Sequence, residues 1–187
     1  MQSCAVGNIV NESDVIRRVL AGDGESFRLL VERYGGPVAR LIRNLTGDNQ
    51  ACEDLAQEVF LTAYEKLATF DPGRSQFVTW LFTIARNKSV NAARKKRPVY
   101  LPEPPELAGQ ATPEDTLARQ EFLAALDREL LALPLEQRTA FVLAEFEHLA
   151  YEQIAQIEGV RLGTVKSRIS RARDKLMEAL NRFGDTL

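Results

Sequence analysis

Five of the chain's eight prolines fall between residues 98 and 113: Pro98, Pro102, Pro104, Pro105 and Pro113. Pro-Pro and Pro-x-Pro spacings hold backbone extended, and each residue before a proline is steered away from helical dihedrals. The stretch has no amphipathic period. A single packed unit is not expected to run through it. Residues 98–115 are therefore expected to be a flexible linker, with one domain over 15–97 and a second over 116–187.

Both flanks carry helical spacing. Phe27, Leu30, Val31 and Tyr34, then Val38, Leu41, Ile42 and Leu45, recur at steps of three and four. Gly35-Gly36-Pro37 interrupts this series and predicts either two helices or one kinked helix. Leu55, Val59, Ala63, Leu67 and Phe70 form the next stripe, and Phe77, Leu81, Ile84 and Ala85 begin another. Past the prolines, Phe122, Leu126, Leu130 and Leu133 predict a helix that Pro134 should end; Phe141, Val142, Glu145 and Phe146 lie in the following one. Val/Ile/Thr alternation over four or more residues is absent. The expected fold is all-α, with two small helical domains, each large enough for a modest core of its own.

Composition excludes several classes. The 187 residues are 45% hydrophobic and 27% charged, ordinary for a soluble globular chain. The longest apolar runs are far short of the ~20 residues a membrane span needs, and no basic stretch followed by an apolar core predicts a secretory signal. Membrane insertion is not expected. Cys4 and Cys52 are too few for a metal framework, so no metal or cofactor is expected and a reduced, cytoplasmic protein is.

The net charge of -2 conceals sorted charge. Residues 74–97 carry Arg74, Arg86, Lys88, Arg94, Lys95, Lys96 and Arg97 and no acid, a local +7. Residues 161–175 carry six cations against Asp174, a local +5, whereas 48–71 carry six acids against Lys66, a local -5. Two basic segments in an acidic protein suit two contacts with a polyanion. Either run alone also reads as a solvated helix face.

The segment from Leu149 to Arg173 reads as a helix-turn-helix. Ile154 and Ile157 point inward, Ala155 is small where a second helix crosses, and Gly159 supplies the left-handed residue that stops the first helix. Thr164 stands near the start of the second helix, whose inner stripe is Val165, Ile169, Ala172 and Leu176. Its outer face presents Lys166, Ser167, Ser170, Arg171 and Asp174, a hydroxyl and basic surface suited to the major groove. Arg168, Arg173 and Lys175 flank it and are candidates for phosphate contacts.

In the N-terminal part, Asp54, Gln57, Glu58, Leu61 and Glu65 share one helical face. Acids, an amide and a leucine together suit docking onto a basic protein surface. Phe77, Trp80, Leu81 and Phe82 begin a segment that runs on into Asn87, Lys88, Asn91 and Arg94. Aromatics beside a basic, asparagine-bearing helix suit single-stranded nucleic acid; core packing is the competing reading for each aromatic. The turn-rich loop Phe70-Asp-Pro-Gly-Arg-Ser-Gln-Phe77, with Arg74 and Ser75, is a candidate pocket for one extruded base.

Three segments, Glu53-Asp-Leu-Ala-Gln-Glu-Val-Phe60, Phe77-Val-Thr-Trp-Leu-Phe-Thr-Ile-Ala-Arg-Asn87 and Gly163-Thr-Val-Lys-Ser-Arg-Ile-Ser-Arg-Ala-Arg173, resemble the signatures of extracytoplasmic-function (group IV) sigma factors. Their order and the proline-rich spacer match as well, and the resemblance covers roughly residues 15–183. It implies a bacterial transcription-initiation subunit: a region 2 domain that binds the β′ clamp helices of core RNA polymerase and opens the -10 element, and a region 4 domain that binds the β flap and the -35 element. Carried over by position, Asp54, Gln57 and Glu58 match the polymerase-binding helix. The Phe70–Phe77 loop matches the one that holds a flipped -10 base, with Asn87 near it. Lys166, Ser170 and Arg171 match -35 reading positions. The resemblance also implies an anti-sigma factor as partner, membrane-anchored in many relatives. Two positions depart from the pattern: Ala150 stands for the usual Ser, and Glu158 for an apolar residue before Gly159. Residues 1–14 match nothing and are expected to be a disordered tail.

The alternative is a two-domain DNA-binding regulator that never touches polymerase. It accounts for residues 149–173 but not for the Asp54/Gln57/Glu58 face or the aromatic-basic helix. An enzyme is poorly supported: one histidine, His148, no phosphate-cradling glycine loop and no nucleophile motif.

Overall fold

The computed structural model describes residues 11–48, 50–95 and 113–181. Within them lie eight α-helices and no strand: α1 (Glu12–Leu20), α2 (Arg28–Thr46), α3 (Gln50–Glu65), α4 (Phe77–Lys95), α5 (Pro113–Ala132), α6 (Leu135–Glu145), α7 (Tyr151–Glu158) and α8 (Leu162–Leu180). The expected all-α class holds. The boundaries differ at two places. Residues 12–14, placed in the tail, already belong to α1, because Asn11 caps it by accepting the Ser13 N–H at 3.1 Å. Residues 113–115, placed in the linker, open α5, since proline is well tolerated in a first helical turn. Residues 98–112 lie outside the described residues.

The Gly35-Gly36-Pro37 interruption does not divide α2, which runs unbroken from Arg28 to Thr46. Val38, Leu41, Ile42 and Leu45 are all fully buried just beyond the proline. Burial of that face outweighs one missing N–H; each such side chain contributes about 1.5–3 kcal/mol. Gly47 ends α2 at φ 67° and donates to the Arg43 carbonyl at 2.8 Å. A Cβ there would meet Leu131 of α5 at 2.9 Å, so the turn serves close approach as well as conformation. Asp48 then accepts the Ala51 N–H at 3.0 Å and starts α3. The α3 stripe is shorter than its period suggests: the helix stops at Glu65, Leu67 is buried on a 3₁₀ turn, and Phe70 lies beyond it.

On α4, small polar residues enter the core by bonding their own helix. Ser89 Oγ donates to Ala85 O and Thr83 Oγ1 to Thr79 O, both at 2.8 Å, so Ser89 is fully buried without an orphan hydroxyl. Pro134 separates α5 from α6, as its lack of an N–H requires. Buried Arg138 closes the join, donating through Nη1 to Leu131 O at 3.0 Å.

The two helical domains pack directly on one another. One continuous apolar cluster runs from Val15 on α1 through Leu41, Phe82 and Leu143 to Ile154, Val165 and Ile169. A smaller one joins Leu130 and Leu133 of α5 to Ala172 and Leu176 of α8. Helices α2 and α4 supply the N-terminal side of the shared core; α5, α6 and α7 close onto them. At the α4/α7 join Thr79 of α4 and Ile157 of α7 are both buried.

Candidate functional site

The acidic face of α3 is built as its period requires. Val59 and Ala63 are fully buried, which turns Asp54, Gln57, Glu58 and Leu61 outward; all four are exposed. Leu61 is 59% exposed, and Tyr64, one turn on, is 45% exposed with its ring set edge-on against Phe27 at 5.2 Å. Tyr64 extends this face and was missed by sequence reasoning, although its i+3 spacing from Leu61 marks it. Glu58 is joined to α4 by a 3.2 Å ion pair with Lys88. The acidic face of α3 and the basic helix α4 are thus neighbours.

The loop between α3 and α4 is held by an Asx turn: Asp71 Oδ1 accepts the Gly73 N–H at 2.9 Å, and Asp71 O accepts from Arg74 and Ser75. Beneath it the rings form one cluster, with Phe77 centred 5.5 Å from Phe70, 5.6 Å from Tyr34 and 5.7 Å from Trp80. Phe77 is buried and belongs to this support rather than to a reading surface; Phe70 and Trp80 are half-buried at its rim. Arg74 is exposed and Ser75 partly so. Farther along α4, Asn87, Asn91 and Arg94 are exposed on the side that carries Trp80. Asn87 Oδ1 accepts from Arg86 Nη1 at 3.1 Å, leaving its amide N–H₂ outward.

The helix-turn-helix has the expected inner residues. Ile154, Val165, Ile169 and Ala172 are at most 1% exposed, and Gly159 has φ 65°. Thr164 stands two residues into α8, half-buried, and Lys166, Ser167, Ser170 and Arg171 are exposed on one face. Ser167 Oγ donates to Thr164 O at 3.0 Å, which costs that hydroxyl its freedom as a donor. The two departures from the family pattern are compensated. Ala150 offers no cap, but Gln153 Oε1 reaches back to accept the Ala150 N–H at 3.0 Å. Glu158 is buried with its carboxylate 2.6 Å from Arg168 Nη1, and burial pushes that carboxyl up against the opposing pull of Arg168 and Arg86. Arg168, expected at a phosphate, is instead drawn inward, and Arg173 is paired with Glu145 at 2.6 Å. The free cations of the outer face are Lys166 and Arg171, for which no ion pair is formed among the described residues.

His148 takes φ 51°, an uncommon left-handed conformation for a non-glycine residue, at the turn into α7. Its exposure agrees with a turn role. Cys52 is buried, its Sγ donating to Ala39 O at 3.3 Å, and burial pushes the thiol up. Among the described residues no cluster of three or more His, Cys, Asp or Glu could hold a metal, and no helix is long and apolar enough to cross a membrane.

The chain matches the family models of Sigma-70 region 2 over residues 30–99 and Sigma-70, region 4 over residues 123–176. It is 38% identical over 184 residues to the RNA polymerase sigma-H factor of Pseudomonas aeruginosa, covering 90% of this chain and 93% of that one. To the ECF RNA polymerase sigma factor SigW of Bacillus subtilis it is 33% identical, covering 88% and 94%. Among solved structures it is similar to CnrH in complex with the cytosolic domain of CnrY (TM-score 0.71, 27% identity, 90% and 96% covered). It is likewise similar to the sigma factor RpoE of Bartonella quintana in complex with the anti-sigma factor NepR (TM-score 0.71, 28% identity, 84% and 98% covered). Signature motifs, helix order and both family models agree: the chain belongs to the extracytoplasmic-function group of the sigma-70 family of RNA polymerase sigma factors.

Proposed function

We propose that this protein is an alternative sigma factor: it binds core RNA polymerase and directs transcription initiation from promoters whose -35 element it reads as duplex and whose -10 element it reads unpaired. The observation that carries the reading is the separation of three surfaces of different chemistry. An exposed acid-amide-leucine face lies on α3, an exposed asparagine-bearing basic face on α4, and an exposed hydroxyl-basic face on α8. A regulator that only binds duplex has no use for the first two.

In this reading Asp54, Gln57, Glu58 and Leu61 dock on the β′ clamp helices. Leu61 buries apolar surface while the carboxylates meet basic partner groups. The loop from Phe70 to Ser75, with Trp80, Asn87, Lys88, Asn91 and Arg94, takes the melted -10 strand. A base leaves the stack, is held against the aromatic rim and is read by amide groups. Lys166, Ser170 and Arg171 place donors on base edges in the -35 major groove, Thr164 and Ser167 support the helix start, and the β flap receives the same C-terminal part. The chemistry of bond formation stays with the polymerase, so no catalytic residue is assigned. The similarity to chains solved with CnrY and NepR supports an anti-sigma factor as a further partner and a cytoplasmic location, at the inner membrane where such a partner is anchored there.

The test is co-elution with core polymerase on gel filtration. The wild-type chain is expected in the polymerase peak. Asp54→Lys and Glu58→Lys should leave it while keeping full helicity by circular dichroism. Normal co-elution of both variants would refute the docking face.

A further inference from the structure

Tyr34 of α2 is only 8% exposed, so its ring is core and its hydroxyl must find a partner inside the protein. Phenylalanine would fill the same space with no polar tip to satisfy. The hydroxyl reaches α1, where it donates to Glu12 Oε1 in the first turn of that helix. Exposed Arg33 holds the same carboxylate oxygen through Nη2 at 3.1 Å, and its guanidinium carbon lies 5.5 Å from the centre of the Tyr34 ring. Burial and the bond to Glu12 push the phenol well above its ordinary value, against the pull of Arg33, so at neutral pH it remains a donor.

The face of the same ring leads to the α3–α4 loop. Tyr34 is centred 5.6 Å from Phe77, which is 3% exposed and in turn stands 5.5 Å from Phe70 and 5.7 Å from Trp80. Phe70 and Trp80, 5.6 Å apart, are the half-buried rim beside the loop. Packed rings do not tilt singly, because a close-packed interior passes a displacement on to the next side chain. A ring locked at its tip by a hydrogen bond holds its neighbours more tightly than one held by packing alone. The contacts run without a break from Glu12 through Tyr34 and Phe77 to Phe70 and Trp80. Glu12 lies ahead of the 30–99 segment that matches Sigma-70 region 2, so the anchor comes from outside that segment.

We infer that Tyr34 is a positioning residue for base reading: pinned at its hydroxyl by Glu12 of α1, it sets Phe77 and thereby the rim of Phe70 and Trp80 against which the unpaired -10 base is held. Its bearing on DNA rests on the reading of residues 70–77 given above; the mechanical link from α1 to the rim does not. Helix α1 thus shapes a surface that it does not itself form.

Trp80 is the chain's one tryptophan, so its fluorescence reports the rim directly. Tyr34→Phe removes only the hydroxyl, Glu12→Leu removes the acceptor, and Glu12→Gln keeps an acceptor oxygen in its place. In the full chain, acrylamide should quench Trp80 about 1.5-fold more steeply in Tyr34→Phe and Glu12→Leu than in wild type or Glu12→Gln, at equal helicity by circular dichroism. Each form is then bound to core polymerase and allowed to select from a pool of short single-stranded DNA randomised at every position. At the most strongly selected position, preference for the best base over the next should fall about threefold or more in Tyr34→Phe and Glu12→Leu and return in Glu12→Gln. Affinity for duplex fragments selected by the wild-type chain should stay unchanged, whereas a general loss of fold would lower both. Glu12→Leu changes no core side chain and serves if Tyr34→Phe does not fold. Wild-type quenching in both variants, or no return in Glu12→Gln, overturns the positioning. Altered quenching with unaltered base preference overturns its bearing on DNA, as does equal loss on strand and duplex. If no form, wild type included, selects a strand, the reading of residues 70–77 is refuted and the bearing on DNA falls with it, while the fluorescence still decides the positioning.

Discussion

Arg168 Nη1 lies 2.6 Å from the buried carboxylate of Glu158, so a cation of α8 is held against the protein interior. With Arg168 only 22% exposed and Glu158's side chain fully buried, its removal leaves an uncompensated charge. Arg168→Ala is expected to lower stability by roughly 3 kcal/mol, seen in denaturant melts, and to weaken DNA binding only as far as it unfolds the helix-turn-helix. Glu158→Leu/Arg168→Met should recover most of that loss. An Arg168→Ala variant with wild-type stability and lost duplex affinity would return Arg168 to the phosphate-contact role.

The two DNA surfaces should separate by the form of DNA they need. Arg171→Ala should cost about 1–3 kcal/mol on duplex carrying the -35 sequence and little on a single-stranded -10 oligonucleotide. Asn87→Ala should do the reverse, because its outward amide meets a Watson–Crick edge only after the base has left the stack. Fluorescence anisotropy on both substrates checks it. Equal losses on both would mean one nonspecific electrostatic surface.

Stability should respond to pH through three carboxyls, Asp127 half-buried and Glu147 and Glu158 with buried side chains. Burial pushes Asp127, Glu147 and Glu158 up, against the pull of Arg43, of Arg40 and His148, and of Arg168 and Arg86; nearby Glu136 pushes Glu158 the same way as burial. Each binds its proton more tightly folded than unfolded. Their contribution is therefore complete below the ordinary carboxylate values and is lost as pH rises through the raised ones. The thermal midpoint should climb as pH falls from neutral toward that range, and Glu158→Gln should flatten the climb. A midpoint that falls steadily over the same interval contradicts this.

Much of the fold was legible because it rests on local spacing. The α8 stripe of Val165, Ile169, Ala172 and Leu176, the stop at Gly159 and the break at Pro134 each follow from residue type and interval alone. The outward direction of Asp54, Gln57, Glu58 and Leu61 follows equally from the burial of Val59 and Ala63. Pro37 left two helices and one helix equally open, and buried apolar surface on α2, which only the tertiary fold reveals, decides for one. The packing of α7 against α4 was not legible at all: Gln153 and Gln76 are 77 positions apart, and an amide pair leaves no periodic mark. Glu158 stood out only as a departure from the family pattern because its partners, Arg168 and Arg86, lie on other helices.

The central claim is that this chain confers promoter choice on polymerase. Run-off transcription with core polymerase, the chain and a library of genomic fragments tests it most directly. Transcripts are expected from a defined subset of fragments sharing -35 and -10 elements, absent without the chain, lost with Glu58→Lys and altered in sequence preference with Arg171→Ala. Sequence-specific DNA binding by the chain with no chain-dependent transcript from any fragment would contradict it, leaving a DNA-binding regulator in its place.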